Sequence, residues 1–376
     1  MPTTQPLSEP TLRLDEARAR RNIARMVDKA RAAGIRLRPH FKTHQSHTVG
    51  RWFREAGVRA ITVSSLAMAE YFAADGWHDI TIAFPFHPGM RERANALAGR
   101  LRLGITIADV DALAEVTFDA PVALWLKIDV GSHRAGFEAE DVPAMAALLD
   151  SLRGRSDLLP GGLLAHAGHS YGLRSATAIG AASRDAMTQL QQIRAQLVGH
   201  CDRALQISIG DTPGCATQTT FDGADELRPG NFVFFDLSQW QIGSCGIEDI
   251  AVAMACPIVA RYPRRGRLVV HGGAVHFSKD SMEFEGERIF GLAVAAEGDG
   301  WSTLRPDIRL VAISQEHGQV AAPAEFIEAC RPGDTLLLLP VHSCLSADVI
   351  GELHTLGGQR LPMMKRWSGV ADPNTG

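Results

Sequence analysis

The chain has 376 residues, of which 45% are hydrophobic and 21% charged, proportions that are ordinary for a globular protein. Its formal net charge of -4 and its pI of about 6.4 indicate neither nucleic acid nor an anionic membrane as a partner. The length is too great for one small domain, and it fits either two domains or a barrel with an appendage.

The first part of the chain alternates short apolar runs with helical patterns. Residues 15–33 have the apolar spacing of a helix, which Gly34 ends. Further helical patterns cover residues 65–73, 141–152 and 175–198. We expect strands at residues 37–42, 60–64, 80–84, 103–107, 122–129, 162–166, 206–209 and 232–236. Alternation repeated about eight times predicts a (β/α)8 barrel over residues 15–245, with a doubly wound open sheet as the alternative.

The pattern changes after residue 245. Strand-like runs follow one another, with Gly, Pro and Asp between them and little helical periodicity. These runs are residues 250–255, 257–259, 267–270, 309–313 and 335–339. The sequence therefore predicts a second, β-rich domain over residues 246–376.

The cysteines and the apolar runs bear on the compartment. The six cysteines show neither a CxxC pair nor the spacing of a disulfide framework, which is typical of reduced thiols. No apolar signal segment follows Met1, and the longest apolar run, 250–260, is too short to cross a bilayer. We expect a cytoplasmic protein.

A single lysine, Lys42, ends the first predicted strand, and His40 and His44 stand two residues to either side. Removing an ammonium from water is costly unless something compensates. A lysine in this place is therefore either paired with a carboxylate or used as a Schiff-base or proton-transfer group. Position alone leaves both interpretations open.

Glycine-rich loops occur beside the last two predicted strands, at residues 208–214 and 228–231. Small residues let backbone N–H groups point at an anion, and barrels often bind phosphate after their seventh and eighth strands. Either loop alone fits a plain turn, but the two together favour a phosphate site.

Three other segments carry reactive side chains beyond predicted strands. Arg134 lies in a glycine-bounded loop, and Tyr171 follows His166 in another. Near the C-terminus, His342 and Cys344 follow a strand, and extended chain would project both to one side as ligands of a cation such as Zn2+. Each segment also has an ordinary structural alternative: a strand-loop arginine, a packed tyrosine, and a packed cysteine beside a loop histidine.

Together these segments resemble the D-serine dehydratase / D-threonine aldolase family, which are pyridoxal-phosphate (PLP) enzymes of the alanine racemase fold type. Residues 38–44 (RPHFKTH) resemble the family's PLP lysine motif, and residues 127–136 resemble its KxDxGxxRxG segment. The resemblance covers most of the chain. It implies a barrel with a C-terminal β domain, to which residues 1–14 add a strand, and a head-to-tail homodimer with each active site near the interface.

The resemblance also implies the residues that bind the cofactor. Lys42 would hold PLP as a Schiff base and, once freed, remove the α-proton of the substrate. Arg134 would donate to the phenolic oxygen of PLP, Tyr171 would lie near its pyridine nitrogen, and His166 near its ring. The phosphate contacts would be Gly210, Thr212, Gly230 and Asn231.

The metal pair separates two reactions within this family. His342 and Cys344 would hold a divalent cation, Zn2+ or alternatively Mn2+, Mg2+ or Co2+, that assists loss of the β-hydroxyl. D-Threonine aldolases tend to have His-x-Asp in this place, so the cysteine favours dehydration.

We therefore expect a lyase that converts a small D-β-hydroxy amino acid (D-serine, D-threonine or D-threo-3-hydroxyaspartate) to a keto acid and ammonia. The alternatives are retro-aldol cleavage to glycine and an aldehyde, a racemase, and a non-catalytic PLP-binding protein. The sequence leaves open the roles of several other side chains: His44, His47, His276, His317, Gln45 and Asp211.

Overall fold

The computed structural model describes residues 7–366. Residues 1–6 of the predicted N-terminal segment and residues 367–376 of the predicted second domain lie outside the described residues. The strands are β1 (Thr11–Leu14), β2 (Arg36–Leu37), β3 (Ile61–Val63), β4 (Asp79–Pro85), β5 (Arg102–Ile107), β6 (Val122–Ile128), β7 (Leu158–Ala165), β8 (Gln206–Ile209), β9 (Glu226–Leu227), β10 (Val252–Tyr262), β11 (Arg267–His271), β12 (Met282–Phe284), β13 (Glu287–Ile289), β14 (Gly291–Glu297), β15 (Gly300–Ile313), β16 (His317–Ala321), β17 (Thr335–Pro340), β18 (Glu352–Thr355) and β19 (Arg360–Pro362). The α-helices are α1 (Glu16–Ala32), α2 (His47–Glu55), α3 (Leu66–Ala74), α4 (Arg91–Ala98), α5 (Val142–Ser151), α6 (Ala176–Gln196), α7 (Thr212–Thr217), α8 (Leu237–Ile242), α9 (Ala274–Phe277), α10 (Ala324–Ala329) and α11 (Ser343–Ile350).

Strands β2 to β9 form a parallel barrel. Their order is β2-β9-β8-β7-β6-β5-β4-β3. A parallel bridge between His40 and Thr62 closes the ring, and the Phe41 N–H donates to the Thr62 carbonyl over 2.9 Å. Nearly every side chain of β5 and β6 is buried, as expected for parallel strands covered on both faces. The predicted (β/α)8 barrel is confirmed, and the open-sheet alternative is excluded.

The prediction of the eighth strand at residues 232–236 is wrong. The eighth strand is β9, which pairs with β8 on one side and β2 on the other. Residues 231–233 form a 3-10 turn, and Phe235 has a φ of 50°, a left-handed conformation that ends extended chain. The run is apolar because Phe232, Val233 and Phe234 are fully buried in turns. The 228–231 loop therefore follows the last barrel strand, at the C-terminal mouth of the barrel.

The first predicted strand, residues 37–42, is shorter than expected. Strand β2 ends at Leu37, and residues 41–44 form a turn that the Gln45 N–H closes on the Phe41 carbonyl. Pro39 lacks the N–H that a further ladder position would use. Lys42 consequently stands on a turn at the barrel mouth with its side chain exposed, and not inside a buried strand.

The second part of the chain forms a nine-stranded, mainly antiparallel sheet. Its order is β11-β16-β15-β14-β17-β10-β1-β18-β19. Strand β1 pairs antiparallel with β10, so the N-terminal strand belongs to this sheet. The separate runs predicted at 250–255 and 257–259 form the single strand β10. The exact boundaries at residues 14 and 245 stay predictions. No helix within residues 7–366 has the length and apolar character to cross a membrane.

Candidate active site

Lys42 and the His342–Cys344 pair meet where the second sheet covers the barrel mouth. The hydroxyl of Thr43, the residue after Lys42, lies 3.1 Å from Cys344 Sγ. Burial raises the pKa of the Cys344 thiol, but the hydrogen bond from His342 and the charges of His342 and Lys42 outweigh it and lower that pKa below its ordinary value. The thiolate, the form that binds metals, is therefore favoured beside Lys42.

The pair itself sits at the start of a helix. Strand β17 ends at Pro340, His342 is the N-cap residue of α11, and Cys344 lies in the first helical turn. The expectation that extended chain aligns the two side chains is wrong. They nevertheless converge, because the extended N-cap folds back beside the first turn, and His342 and Cys344 are hydrogen-bonded to one another.

Asp236, at the end of the barrel segment, anchors this helix start. One carboxylate oxygen accepts from the Gln239 N–H at 2.9 Å and caps α8, and the other accepts from the Ser343 N–H at 2.9 Å. The Asn231 amide donates to the same carboxylate at 2.6 Å and lies 3.4 Å from Cys344 Sγ. The side chain of Asn231 therefore helps to join the barrel to the start of α11, a contact region that we call the junction. Its predicted contact with phosphate stays a prediction.

A second carboxylate holds the other metal-pair residue. Asp280 accepts a hydrogen bond from His342 Nδ1 over 2.5 Å. Burial lowers the pKa of His342, but the hydrogen bonds to Asp280 and Cys344 outweigh it and raise that pKa above its ordinary value. Sequence reasoning missed Asp280, although it lies only four residues after His276.

Cations gather on the barrel side of the mouth. Burial and the nearby charges of Arg134, Arg228 and Lys42 lower the pKa of Lys127 to about 8. Arg228 is buried, its Nε donates to Ser208 over 2.7 Å, and burial lowers its pKa to about 10. Lys127 and Arg228 were not predicted as site residues. This concentration of positive charge suits an anionic ligand such as a phosphate or a carboxylate.

The loop that carries Arg134 is ordered by one carboxylate. Asp129 accepts backbone N–H groups from Gly131, Ser132, His133 and Arg134. Burial raises the pKa of Asp129, but these four hydrogen bonds outweigh it and lower that pKa. The exposed Arg134 guanidinium lies near enough to Lys127 and His166 to lower the pKa of each.

His166 is a neutral ring in this mouth. Its Nδ1 is hydrogen-bonded to the Gly210 carbonyl, so Nδ1 carries the proton and Nε2 keeps a lone pair. Burial, together with the charges of Lys42, Arg228 and Arg134, lowers the pKa of His166 to about 3.

Tyr171 lies beside the predicted phosphate contacts. Its ring centroid is 5.9 Å from that of His166, and its oxygen accepts from the Thr212 N–H at 3.3 Å. Burial and the charge of Asp211 raise the pKa of Tyr171, so the phenol stays neutral. The structure thus places this phenol at the start of α7, and its predicted contact with a pyridine nitrogen stays a prediction.

The loop after β8 offers an uncompensated hydroxyl. Thr212 Oγ1 is buried beside the Tyr171 phenol and makes no well-aligned hydrogen bond to any residue between 7 and 366. Asp211 caps α7 by accepting from the Gly214 N–H and also accepts from the Ser170 hydroxyl. Leaving a buried hydroxyl without a well-aligned partner is costly, so this position fits a polar ligand.

Two predicted glycines bring the loops together. A Cβ on Gly210 would lie 2.5 Å from the Arg228 backbone, and one on Gly230 would lie 2.9 Å from the His40 carbonyl oxygen. The backbones of the mouth loops therefore approach one another only because these two residues lack side chains.

The remaining histidines have structural surroundings. His44 is fully buried against Phe41 and Phe53, and burial lowers its pKa to about 3. His47 stacks on Tyr71 with 3.7 Å between ring centroids. Neither ring belongs to the mouth. His317 is exposed on β16, in register with His271.

A second cluster, formed by His271, His276 and Glu316, brings three possible ligand atoms within 4.8 Å of one another. The Gly273 N–H donates to His276 Nδ1 at 3.1 Å, which leaves the proton of the neutral ring on Nε2. That nitrogen faces Glu316 as a donor, and His271 Nε2 lies 3.4 Å from the same carboxylate. The cluster is therefore two imidazole rings placed around one carboxylate.

Comparisons with known proteins match both parts of the chain. Residues 14–238 match the alanine racemase N-terminal domain, and residues 251–356 match the putative serine dehydratase domain. A D-threo-3-hydroxyaspartate dehydratase from Delftia sp. strain HT23 is 33% identical over 90% of this chain and 91% of that protein. Its solved structure superimposes with a TM-score of 0.86 at 30% identity, covering 98% of this chain and 100% of that one.

Two further relatives are named for the dehydration of D-serine and for D-threonine aldolase activity. A D-serine dehydratase from Dictyostelium discoideum is 26% identical over 93% of each chain. A D-threonine aldolase from Arthrobacter sp. is 25% identical over 89% of this chain and 85% of that protein. The matched domains, in this order and over this length, make the chain a member of the D-serine dehydratase family of alanine racemase-fold lyases.

Proposed function

We propose that the protein is a PLP- and divalent-metal-dependent lyase that dehydrates a small D-β-hydroxy amino acid to a keto acid and ammonia. The observation that carries this proposal is the contact between the lysine turn and the metal pair, Thr43 Oγ1 to Cys344 Sγ at 3.1 Å. This contact brings the turn that carries Lys42 beside His342 and Cys344, the proposed metal ligands. One substrate can then meet both, the amine at Cα and the metal pair at the β-hydroxyl.

The residues of the barrel mouth fit PLP. Bound PLP supplies an electron sink that acidifies the α-proton of an amino acid. The exposed amine of Lys42 would hold the cofactor and, once free, would take the α-proton. The Thr212 hydroxyl, which has no well-aligned hydrogen bond within residues 7–366, and the surrounding cations support a phosphate in the loops after β8 and β9. Arg134 is free to reach a cofactor oxygen, and neutral His166 borders the ring.

The residues of the junction fit a divalent metal. Bound Zn2+ supplies positive charge at the departing β-hydroxyl. Imidazole nitrogen and thiolate sulfur favour Zn2+ over Mn2+ and Mg2+, whose preferred ligands are oxygens, while Co2+ suits the same donors. His342 and Cys344 fill two positions, so the remaining positions stay open to the substrate.

The relatives order the candidate substrates. The dehydratase of D-threo-3-hydroxyaspartate has the higher identity, 33%, and the D-serine dehydratase has 26%. The cations of the mouth, Lys127 and Arg134 among them, favour a substrate with a second carboxylate. We therefore expect D-threo-3-hydroxyaspartate to be consumed most efficiently, followed by D-serine and D-threonine.

Product analysis tests this proposal. Purified protein is incubated with PLP and each of the three D-amino acids, with Zn2+ or with a chelator. The expected result is keto acid and ammonia in equal amounts, both lost on chelation. Glycine plus an aldehyde would establish the aldolase alternative, and accumulation of the L-enantiomer would establish a racemase. If the PLP-loaded protein converts none of the three amino acids, the alternative of a non-catalytic PLP-binding protein would be established.

We also infer a homodimer in which a second copy covers helices α9 and α11. These neighbouring helices expose Val275, Leu345 and Val349 by 40%, 39% and 38%, close to His342. Light scattering is expected to give twice the mass of 40.6 kDa for the wild type and the mass of one chain for a Leu345→Glu/Val349→Glu variant. The six cysteines form no disulfide bonds with one another, and this agrees with the predicted cytoplasmic location.

A further inference from the structure

We propose that Asp280 is a positioning residue of the metal pair. It fixes the tautomer and the direction of the His342 ring so that Nε2 is left as the metal-binding nitrogen. This inference rests on the proposed function, because it concerns the same His342–Cys344 pair.

The hydrogen bonds of His342 define its tautomer. The Asp280 carboxylate only accepts, so His342 Nδ1, 2.5 Å away, must carry a proton. Nε2 is then the nitrogen with the available lone pair. The same ring is hydrogen-bonded to Cys344, so the imidazole and the sulfur lie close enough to bind one cation. Asp280 would hold the His342 ring in this place for a divalent cation, and Cys344 would supply the sulfur ligand beside it.

The segment that carries Asp280 is built to hold this position. Ser278 has a φ of 67°, a left-handed conformation that costs a non-glycine residue free energy. Its hydroxyl accepts from the Asp280 N–H at 3.2 Å. The Ser346 hydroxyl, fully buried in α11, donates to the Phe277 carbonyl at 3.1 Å. The chain before Asp280 is thus fastened to the helix that carries Cys344.

The pair between Asp280 and His342 contributes little to folding. The two side chains are 44% and 36% exposed, and partly exposed ion pairs add little to stability. The strained backbone at Ser278 is therefore better explained by the effect that Asp280 has on the His342 ring than by a contribution to stability. Carboxylates behind metal-binding histidines typically raise metal affinity about 10- to 100-fold.

The test compares Zn2+ affinity among variants of the PLP-loaded protein. A chromophoric chelator competes for Zn2+ with the wild type, Asp280→Ala, Asp280→Asn and His342→Ala. Asp280→Ala is expected to bind Zn2+ about 10- to 100-fold more weakly. Asp280→Asn is expected to lie between Asp280→Ala and the wild type, because an amide oxygen still accepts from Nδ1. Added Zn2+ is expected to restore the kcat of Asp280→Ala, which a folding defect would not allow.

The matched control is Asp150→Ala. Asp150 accepts from His200 Nδ1 at 2.8 Å on the outside of the barrel, an Asp–His pair of similar geometry. Its loss is expected to leave Zn2+ affinity unchanged. If Asp280→Ala binds Zn2+ as tightly as the wild type while His342→Ala does not, the positioning role is wrong. If His342→Ala also binds as tightly as the wild type, the proposed metal pair itself is wrong, and the positioning role falls with it.

Discussion

The barrel loops and the metal junction are held by carboxylates in two different ways. Asp129 orders its loop through N–H groups two to five residues ahead, and Asp211 caps a helix three residues ahead. In the junction, Asp280 and His342 are 62 residues apart, Asp236 and Ser343 are 107 apart, and Thr43 and Cys344 are 301 apart. These two barrel loops are therefore ordered by local contacts, whereas the His342–Cys344 pair is held by side chains that are distant in the sequence, two of which (Asp236 and Thr43) belong to the barrel part of the chain.

This difference predicts that cofactor binding and metal binding are separable. A change in a barrel loop alters the PLP site and leaves the metal pair intact, and a change in the junction does the reverse. Lys42→Ala, Thr212→Val and Thr43→Val test this separation, and Lys127→Met tests the electrostatics of the barrel mouth.

Lys42→Ala is expected to lower kcat by at least on the order of 10^3-fold, because it removes both the cofactor's anchor and the proton acceptor. The visible absorption band of bound PLP should also disappear. Zn2+ affinity should remain close to that of the wild type, since Thr43 and Cys344 stay in contact. Retained activity with an unchanged absorption band would exclude Lys42 from the reaction.

Thr212→Val is expected to weaken PLP binding about 10- to 100-fold, the usual cost of one lost hydrogen bond to a charged group. Titration of the apoprotein with PLP, followed by fluorescence, measures the effect. Thr217→Val is the matched control, because the Thr217 hydroxyl donates to the Pro213 carbonyl within α7. Equal PLP affinity in both variants would place the phosphate elsewhere.

Lys127→Met is expected to change the pH dependence of folding. Burial and the neighbouring cations lower the pKa of Lys127 from 10.5 to about 8, so between these values the unfolded chain binds a proton that the folded protein has released. The free energy of unfolding of the apoprotein should rise with pH in this window, and the rise should be smaller in Lys127→Met. Identical pH slopes in urea denaturation would show that this amine is not destabilised by its surroundings.

Thr43→Val is expected to have the smallest effect. It removes one hydroxyl from Cys344 Sγ while keeping the shape of the side chain. The loss of one ordinary hydrogen bond should weaken Zn2+ binding roughly two- to tenfold. PLP affinity should not change, and a fall in PLP affinity equal to that in Zn2+ affinity would contradict the separation of the two sites.

The same contrast explains what the sequence could predict. Lys42, Arg134, His166, Tyr171 and Thr212 stand in loops whose local patterns are recognisable, and the structure brings them to one mouth. The (β/α)8 alternation was equally visible. The apolar run at 232–236 misled the strand assignment, because burial in a turn gives the same composition as burial in a strand.

Asp236, Asp280, Thr43 and Lys127 could not be assigned roles from the sequence. Their partners lie in distant segments, and one sequence contains no information about which distant residues meet. For Lys127 the cause is collective, since its lowered pKa arises from burial together with the charges of Arg134, Arg228 and Lys42.

The most direct measurement follows proton exchange and elimination in the same sample. D-Serine is incubated in D2O with PLP-loaded protein, with and without Zn2+, and both deuterium at Cα and pyruvate are quantified. If Lys42 acts on the α-proton and the His342–Cys344 pair on the β-hydroxyl, the metal-free protein will exchange the α-proton without forming pyruvate, and Zn2+ will restore pyruvate. Pyruvate formed at the same rate without metal would contradict the division of labour between barrel and junction.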